Sequence, residues 1–470
     1  MNKLFFFSIV FAIIYTSESK AATYTDSLSI APFGKVFIYK PTTVPLNVVI
    51  MISGDAGWKS GVIGFAETFS EMNNLVIGVD ILRYFKDLRQ RTEDCYSAAS
   101  DFIELATVIE KKYNFPDYRP PVIIGYSSGA TLVYGILAQA RPGAFIGGLS
   151  LGFCPDIELP KMLCQTNGLT EKVDVTGKSY FLQPDAKLGN PWIVLQGKLD
   201  IVCNYSTVVD FVGKTTDAEL ITLPKVGHGF SNYNDFMPQW KEAFNRLVTN
   251  FNSNQTKVNN LGQGNDLPVV ITNVKFQNKD LPVAFMISGD GGWYWFEQSI
   301  ADKLAELGIP VVGLDSRKYF WNRKTPDETA TAVTKTLSYY CTQLGRTRIM
   351  FIGYSLGAEI VPFIVNRLPD EMKSMVVSSV LLSPDISTDF EIHISNMLGM
   401  GNRQNTYEVA DEINKMQSTS TLCIFGEDEK SEVPGLLKGN LIKTKLIPGD
   451  HHYKNNTSMI VQVMKDYKAY

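Results

Sequence analysis

The chain repeats itself in collinear order, so whatever fold one half adopts the other must be able to adopt. Ile52-Ser53-Gly54-Asp55-Ala56-Gly57-Trp58 returns as Ile287-Ser288-Gly289-Asp290-Gly291-Gly292-Trp293. Gly125-Tyr126-Ser127-Ser128-Gly129-Ala130 returns as Gly353-Tyr354-Ser355-Leu356-Gly357-Ala358. Gly78-Val79-Asp80, followed by Arg83-Tyr84-Phe85, answers Gly313-Leu314-Asp315, followed by Lys318-Tyr319-Phe320. Leu151-Gly152-Phe153-Cys154-Pro155-Asp156 answers Leu381-Leu382-Ser383-Pro384-Asp385, and Gly227-His228-Gly229-Phe230 answers Asp450-His451-His452-Tyr453. Five blocks in one order point to tandem duplication, and 470 residues suffice for two domains.

Between the blocks, short apolar runs alternate with longer amphipathic stretches. In the second half Val283–Ile287, Pro310–Leu314, Ile349–Ile352, Val377–Leu382, Thr421–Phe425 and Lys443–Ile447 read as strands. Glu297–Leu307 and Glu328–Tyr340 carry helical spacing. Near-continuous apolar strands suit a sheet covered on both faces. The alternation predicts α/β architecture, a mostly parallel doubly wound sheet in each half with ligands at the carboxyl ends of its strands. Every repeated block begins where such a strand ends, so the blocks should converge on one edge of each domain.

The opening residues read as a leader rather than as fold. Lys3 precedes an apolar run to Tyr15, and Ser19-Lys20-Ala21 has a small-x-Ala cleavage pattern, which assigns residues 1–21 to a secretory signal peptide. Residues 24–254 and 265–470 then form the two domains, joined by a polar linker over 255–264. No later stretch is long and apolar enough to span a bilayer, so the mature chain is expected in the periplasm. A net charge of −4 argues against a nucleic-acid partner. In an exported protein Cys203 can pair with Cys154 or Cys164, whereas Cys341 and Cys423 fall in apolar, regular segments and read as buried thiols. With four histidines and no CxxC, neither a zinc site nor any other cofactor is expected.

The chemistry sits in the G-x-S-x-G blocks. A serine hydroxyl becomes a nucleophile when a base takes its proton and a third group orients that base. G-x-S-x-G between a strand and a helix presents a serine on a sharp turn, with an acid and then a histidine following in the chain. The first half offers Ser127, Asp200 and His228, and the second offers Ser355, Asp428 and His451. Two choices stay open: Glu429 shares the register of Asp200, although Asp428 is favoured if the halves carry a gap there, and His452 competes with His451. The oxyanion of an acyl-transfer intermediate needs backbone N–H donors. One should come from the residue after the nucleophile, Ser128 or Leu356, and a second from the Ser-Gly-Asp-x-Gly-Trp loop, with Ala56 and Gly291 as candidates. Asp290, Asp315, Glu359, Asp385, Asp389 and Glu391 surround the second set of blocks and would favour a cationic substrate group if they line its cleft.

Taken together, Ser288-Gly289-Asp290-Gly291-Gly292-Trp293, Gly353 to Pro362 and Asp389-Phe390-Glu391-Ile392-His393 resemble the VirJ/AcvB family of bacterial virulence proteins. The resemblance covers the second half, and the two-part layout is similar to the AcvB branch. It implies a periplasmic α/β-hydrolase of a Gram-negative bacterium, linked to virulence and type IV secretion. It also implies an esterase acting on aminoacyl-phosphatidylglycerol, such as the lysyl ester, at the membrane surface. The nucleophile would be Ser355 and the base His451 or His452. The alternative is a non-enzymatic adaptor that uses the same scaffold to bind secretion-system components or exported proteins.

Overall fold

A computed structural model describes residues 25–470 apart from 92–93, 167, 262–266, 277 and 394–405, so the predicted signal peptide lies outside the described residues. The first domain is built on an eight-stranded sheet of order β1-β2-β4-β3-β5-β6-β10-β11. Its strands are β1 (Asp26–Ile30), β2 (Gly34–Tyr39), β3 (Asn47–Ile52), β4 (Asn74–Val79), β5 (Val122–Tyr126), β6 (Gly147–Leu151), β10 (Trp192–Gly197) and β11 (Ala218–Leu223). A small antiparallel sheet of β7 (Asp156–Glu158), β8 (Glu171–Val173) and β9 (Ser179–Leu182) is inserted after β6. The second domain repeats the plan with seven strands in the order β12-β14-β13-β15-β16-β19-β20. These are β12 (Val269–Thr272), β13 (Val283–Ile287), β14 (Val311–Leu314), β15 (Ile349–Tyr354), β16 (Val376–Leu382), β19 (Ser420–Gly426) and β20 (Ile442–Ile447). Its insertion after β16 holds a short pair, β17 (Ser387–Thr388) and β18 (Tyr407–Glu408). All six strands read from the second half are present.

Only the leading strands run antiparallel, β1 to β2, β2 to β4 and β12 to β14; every other pairing in the two large sheets is parallel. Helices cover both faces, which is why β10, β13 and β15 are buried along their whole length. Each domain has two apolar cores, one per face of its sheet. In both, the chain leaves the central strand in one direction and returns on its other side. That makes a switch point between the ends of β3 and β5, and again between β13 and β15, where a doubly wound sheet opens a crevice. This is the α/β-hydrolase fold, twice.

The predicted linker begins later than its composition implies. The helix Met237–Leu261 runs through most of it, because the first helix-breaking residue there is Gly262. The domains are also packed together. Trp321, in the loop after β14, is buried in a first-domain core and its Nε1 donates to the Phe115 carbonyl at 2.8 Å. Arg141 pairs with Asp315 at 2.6 Å, Lys111 with Glu391 at 3.6 Å, and the Arg317 guanidinium lies 4.0 Å from the centroid of the Tyr118 ring. Disulfides Cys95–Cys164 and Cys154–Cys203 brace the first domain, while Cys341 and Cys423 are free and buried. Cys203 takes Cys154 of its two predicted partners, and Cys164 instead meets Cys95. Such bridges are consistent with an extracytoplasmic protein. Among the described residues no helix is long and apolar enough to cross a membrane.

Candidate active sites

Both serines occupy the turn the motif predicts. Ser127 has φ 54° and ψ −125°, and Ser355 has φ 50° and ψ −118°, a conformation that a residue with a side chain seldom adopts. The flanking glycines make the turn possible. A Cβ on Gly125 would lie 2.1 Å from the Gly129 carbonyl oxygen, and one on Gly357 would lie 2.2 Å from that of Ile287. Strand and helix therefore meet backbone to backbone, and the strain at the serine is held by that contact.

In the first domain Ser127 Oγ lies 3.0 Å from His228 Nε2, and His228 Nδ1 lies 2.9 Å from Asp200 Oδ2. Asp200 is buried and fully engaged. Its Oδ2 also accepts from Gln196 Nε2 at 2.9 Å, and its Oδ1 accepts from the backbone N–H groups of Val202 and Cys203. In the second domain Ser355 Oγ lies 3.0 Å from His451 Nε2, and His451 Nδ1 lies 2.8 Å from Glu429 Oε1. The acid beside His451 is thus Glu429 and not Asp428. Asp428 points to solvent, 65% exposed, with Lys454 4.0 Å away. The reason is that the loops align without a gap: Asp200 N donates to Gly197 O, and Glu429 N donates to Gly426 O. His451 is the histidine that reaches the serine. His452 turns away, its Nδ1 2.6 Å from the Tyr354 hydroxyl.

Further residues hold these groups and were not singled out from the sequence. Ser383 Oγ donates to Glu429 Oε2 at 2.6 Å and lies equally close to the Tyr453 hydroxyl. Tyr126 and Tyr354 donate to the backbone carbonyls of His228 and His451, tying each serine-bearing turn to its histidine loop. Their recurrence beside both serines was a usable signal. Most of the repeated Ser-Gly-Asp-x-Gly-Trp block turns out to build the fold. The Ser53 and Ser288 hydroxyls accept from Ile81 N and Ser316 N of the neighbouring loop. Trp58 and Trp293 lie over Gly78 and Gly313, where a Cβ would come within 2.3 and 2.1 Å of the indole.

The oxyanion candidates divide. Ser128 and Leu356 each open the helix after their serine, and neither N–H has a protein acceptor among the described residues. Gly291 does not fit its expected part, because its N–H is taken by the Asp290 carboxylate at 2.8 Å. The backbone that approaches the serine lies two residues earlier. A Cβ on Gly54 would be 2.9 Å from Ser127 Cβ, and one on Gly289 would be 3.5 Å from Ser355 Cβ. That places the close approach before Ala56 as well as before Gly291. The Gly289 loop has an extra tether, since the buried Glu297 accepts from Gly289 N at 3.3 Å and Tyr294 N at 3.0 Å. Burial pushes the Glu297 carboxyl up to about 8.

Several carboxylates act on the second site. Burial raises the Glu429 carboxyl, but hydrogen bonds from His451 and Ser383 outweigh it and hold the group below the ordinary range. Burial would lower His451, yet the Glu429 hydrogen bond and charge, with Asp290 and Glu359 behind them, raise it above the ordinary value. His452 is lowered by burial and then by its neighbour His451. Glu104, on the first-domain helix Ala98–Lys112, keeps solvent contact; desolvation by the surrounding protein and the charges of Asp101 and Asp290 push its carboxyl up to about 7. The remaining acids of the predicted cluster make other contacts. Asp315 and Glu391 pair across the domain interface, Asp389 holds His393 at 2.5 Å, and Asp385 accepts from Ile386 N.

With this geometry established, the bacterial virulence protein (VirJ) family profile matches residues 47–142 and 281–469, more than half of the chain. The chain belongs to this family. The VirJ match includes both elbow serines and, in the second domain, Glu429 and His451; in the first half it stops before Asp200 and His228. No curated protein matches the chain. Solved structures similar to it are α/β hydrolases at low identity. Est1E from Butyrivibrio proteoclasticus with ferulic acid bound is 16% identical, covering 43% of this chain and 94% of that one, with a TM-score of 0.33. A putative dienelactone hydrolase from Klebsiella pneumoniae is 14% identical, covering 47% and 97%, with a TM-score of 0.35. The thermophilic esterase Est2 from Thermogutta terrifontis is 14% identical, covering 48% and 95%, with a TM-score of 0.35.

Proposed function

We propose that this VirJ-family chain is an exported, periplasmic serine ester hydrolase whose second domain cleaves an aminoacyl ester of phosphatidylglycerol, the lysyl ester being the leading substrate. The observation that carries the reading is the unbroken hydrogen-bonded chain from Ser355 through His451 to Glu429. In that reaction Ser355 Oγ attacks the aminoacyl carbonyl carbon while His451 Nε2 takes its proton. Glu429 stabilises the imidazolium, and the Leu356 N–H receives the oxyanion. Collapse expels the glycerol oxygen, which leaves as the alcohol with the proton from His451. Water then attacks the acyl-serine, with His451 as base, and releases the free amino acid.

The charge pattern supports an aminoacyl group in particular. Asp290 and Glu359 act on His451, and Glu104 stands in the field of Asp290. Asp290, half-buried and next to the Gly289 that approaches Ser355, favours the ammonium groups of a lysyl ester over a neutral or anionic acyl group, with the buried Glu359 adding to the field. The test is turnover of lysyl-phosphatidylglycerol in vesicles together with labelling by a fluorophosphonate probe. Wild type should release lysine and Ser355→Ala should not. Full turnover by Ser355→Ala would reject the assignment. A chain whose serines never label would instead fit the adaptor reading.

A further inference from the structure

The two sites share a backbone but differ in the loop that carries the acid. The gapless register sets Leu199 opposite Asp428, Ile201 opposite Lys430 and Val202 opposite Ser431. Leu199, Ile201 and Val202 are 61%, 94% and 65% exposed, although they flank a buried carboxylate in a loop that folds against the histidine loop. Three outward-facing apolar side chains within four positions leave a large apolar surface in water for no packing gain of their own. They are also held there. Asp200 accepts from Val202 N and Cys203 N, and Cys203 is bonded to Cys154 in the loop after β6. In the helix after the serine a related change occurs: the buried Thr131, whose hydroxyl donates to the Cys154 carbonyl, stands where the second domain has the buried Glu359.

We infer that the first domain is a second hydrolase with a different substrate class, esters whose acyl chain is long and apolar, and that Leu199, Ile201 and Val202 cover that chain. The inference rests on the serine-hydrolase reading of the Ser127–His228–Asp200 set. Ser127 Oγ attacks the carbonyl of the fatty acyl ester, His228 carries the proton to the departing alcohol, and water releases the fatty acid. The occupant of the apolar rim is therefore the hydrocarbon tail of the molecule being cleaved. One chain would then carry two complementary ester specificities, a cationic acyl group at the acidic second site and an apolar acyl group at the first.

The test uses the full mature chain carrying Ser355→Ala, so that Ser127 is the remaining nucleophile, and p-nitrophenyl esters from acetate to octanoate below their aggregation limit. Expected is a kcat/KM that climbs with chain length, about tenfold or more between butanoate and octanoate, given the value of each buried methylene. Replacing the rim by its second-domain counterparts, Leu199→Asp, Ile201→Lys and Val202→Ser, should collapse the octanoate-to-acetate ratio by a similar factor. All three positions are exposed, so the replacements leave both cores intact. If fluorophosphonate labels Ser127 but the series is flat, or is unchanged by the rim replacements, the acyl-chain inference is overturned and the serine reading stands. If Ser127 fails to label while Ser355 in wild type does, the serine reading of the first domain falls and takes the inference with it.

Discussion

The two domains reach the same serine–histidine distance, 3.0 Å, by different means of holding the acid. In the first, an aspartate is fixed by a glutamine side chain and two backbone N–H groups, and a disulfide clamps the loop that supplies them. In the second, a glutamate one methylene longer occupies the same backbone position and is fixed by the Ser383 hydroxyl and the Gly426 N–H. The comparison teaches that the duplicated fold keeps the serine–histidine–carboxylate geometry and leaves its supports free to change. The acid loops differ as well: Glu429, Asp290 and Glu359 all act on His451 in the second domain, whereas exposed Leu199, Ile201 and Val202 flank Asp200 in the first.

The sharpest way to break the comparison is to remove each nucleophile separately. Ser355→Ala should lower hydrolysis of lysyl-phosphatidylglycerol by at least about 10³-fold, and Ser127→Ala should leave that activity within about twofold. The measurement is lysine release from vesicles by each protein. Equal losses in the two variants would mean that the domains do not act as independent sites.

Next in size is the acid. Glu429→Gln leaves His451 without its charged partner and should lower kcat for the second-site substrate by about 10³- to 10⁴-fold, as removing the acid of a serine triad does. Asp428→Asn should change it by less than about twofold, since that side chain faces solvent. Steady-state kinetics on the two variants decides between the neighbouring carboxylates directly. A large loss in Asp428→Asn with none in Glu429→Gln would reverse the assignment made from the geometry.

A smaller effect should separate the supports. Replacing Cys154 and Cys203 with serine removes the clamp on the Asp200 loop and should reduce fluorophosphonate labelling of Ser127 by about tenfold, leaving Ser355 unchanged. Peptide-resolved labelling rates measure both serines in one sample. Parallel losses would show that the bridge stabilises the whole chain rather than one loop.

How much of this was readable from residues alone follows the physics of each feature. The strands of the second half were legible because both of their faces are buried, so hydrophobicity marks them without needing a period. The elbow was legible because the close approach of Gly125 to Gly129 admits nothing larger than glycine. The acid was harder to read. Gly426-Glu427-Asp428-Glu429 presents three carboxylates in a row, and only the turn, with Glu429 N donating to Gly426 O, decides which one faces inward. The Gly291 donor failed for a related reason. The capture of its N–H by the Asp290 carboxylate is a local hydrogen bond that spacing does not reveal. The pairing of Cys95 with Cys164, and the seat of Trp321 in the other domain's core, depend on long-range packing that neither segment announces.

The finest prediction concerns proton affinity at the second site. Catalysis needs His451 neutral so that Nε2 can accept the Ser355 proton, so activity rises with pH as the imidazolium is lost. Burial alone would place that rise below the ordinary histidine value of about 6.5. The Glu429 hydrogen bond and charge, then Asp290 and Glu359, outweigh it and move the rise to higher pH. Glu359→Gln removes one of the smaller contributions without touching the triad's hydrogen bonds, so the acidic limb of kcat/KM should shift toward lower pH. The measurement is the pH profile on a neutral short-chain ester in a Ser127→Ala background, which keeps substrate charge out of the result. If the limb stays in place while the rate on lysyl-phosphatidylglycerol falls, Glu359 acts on the substrate's ammonium groups rather than on the base. A shift toward higher pH would contradict the sign of the field that these carboxylates impose on His451.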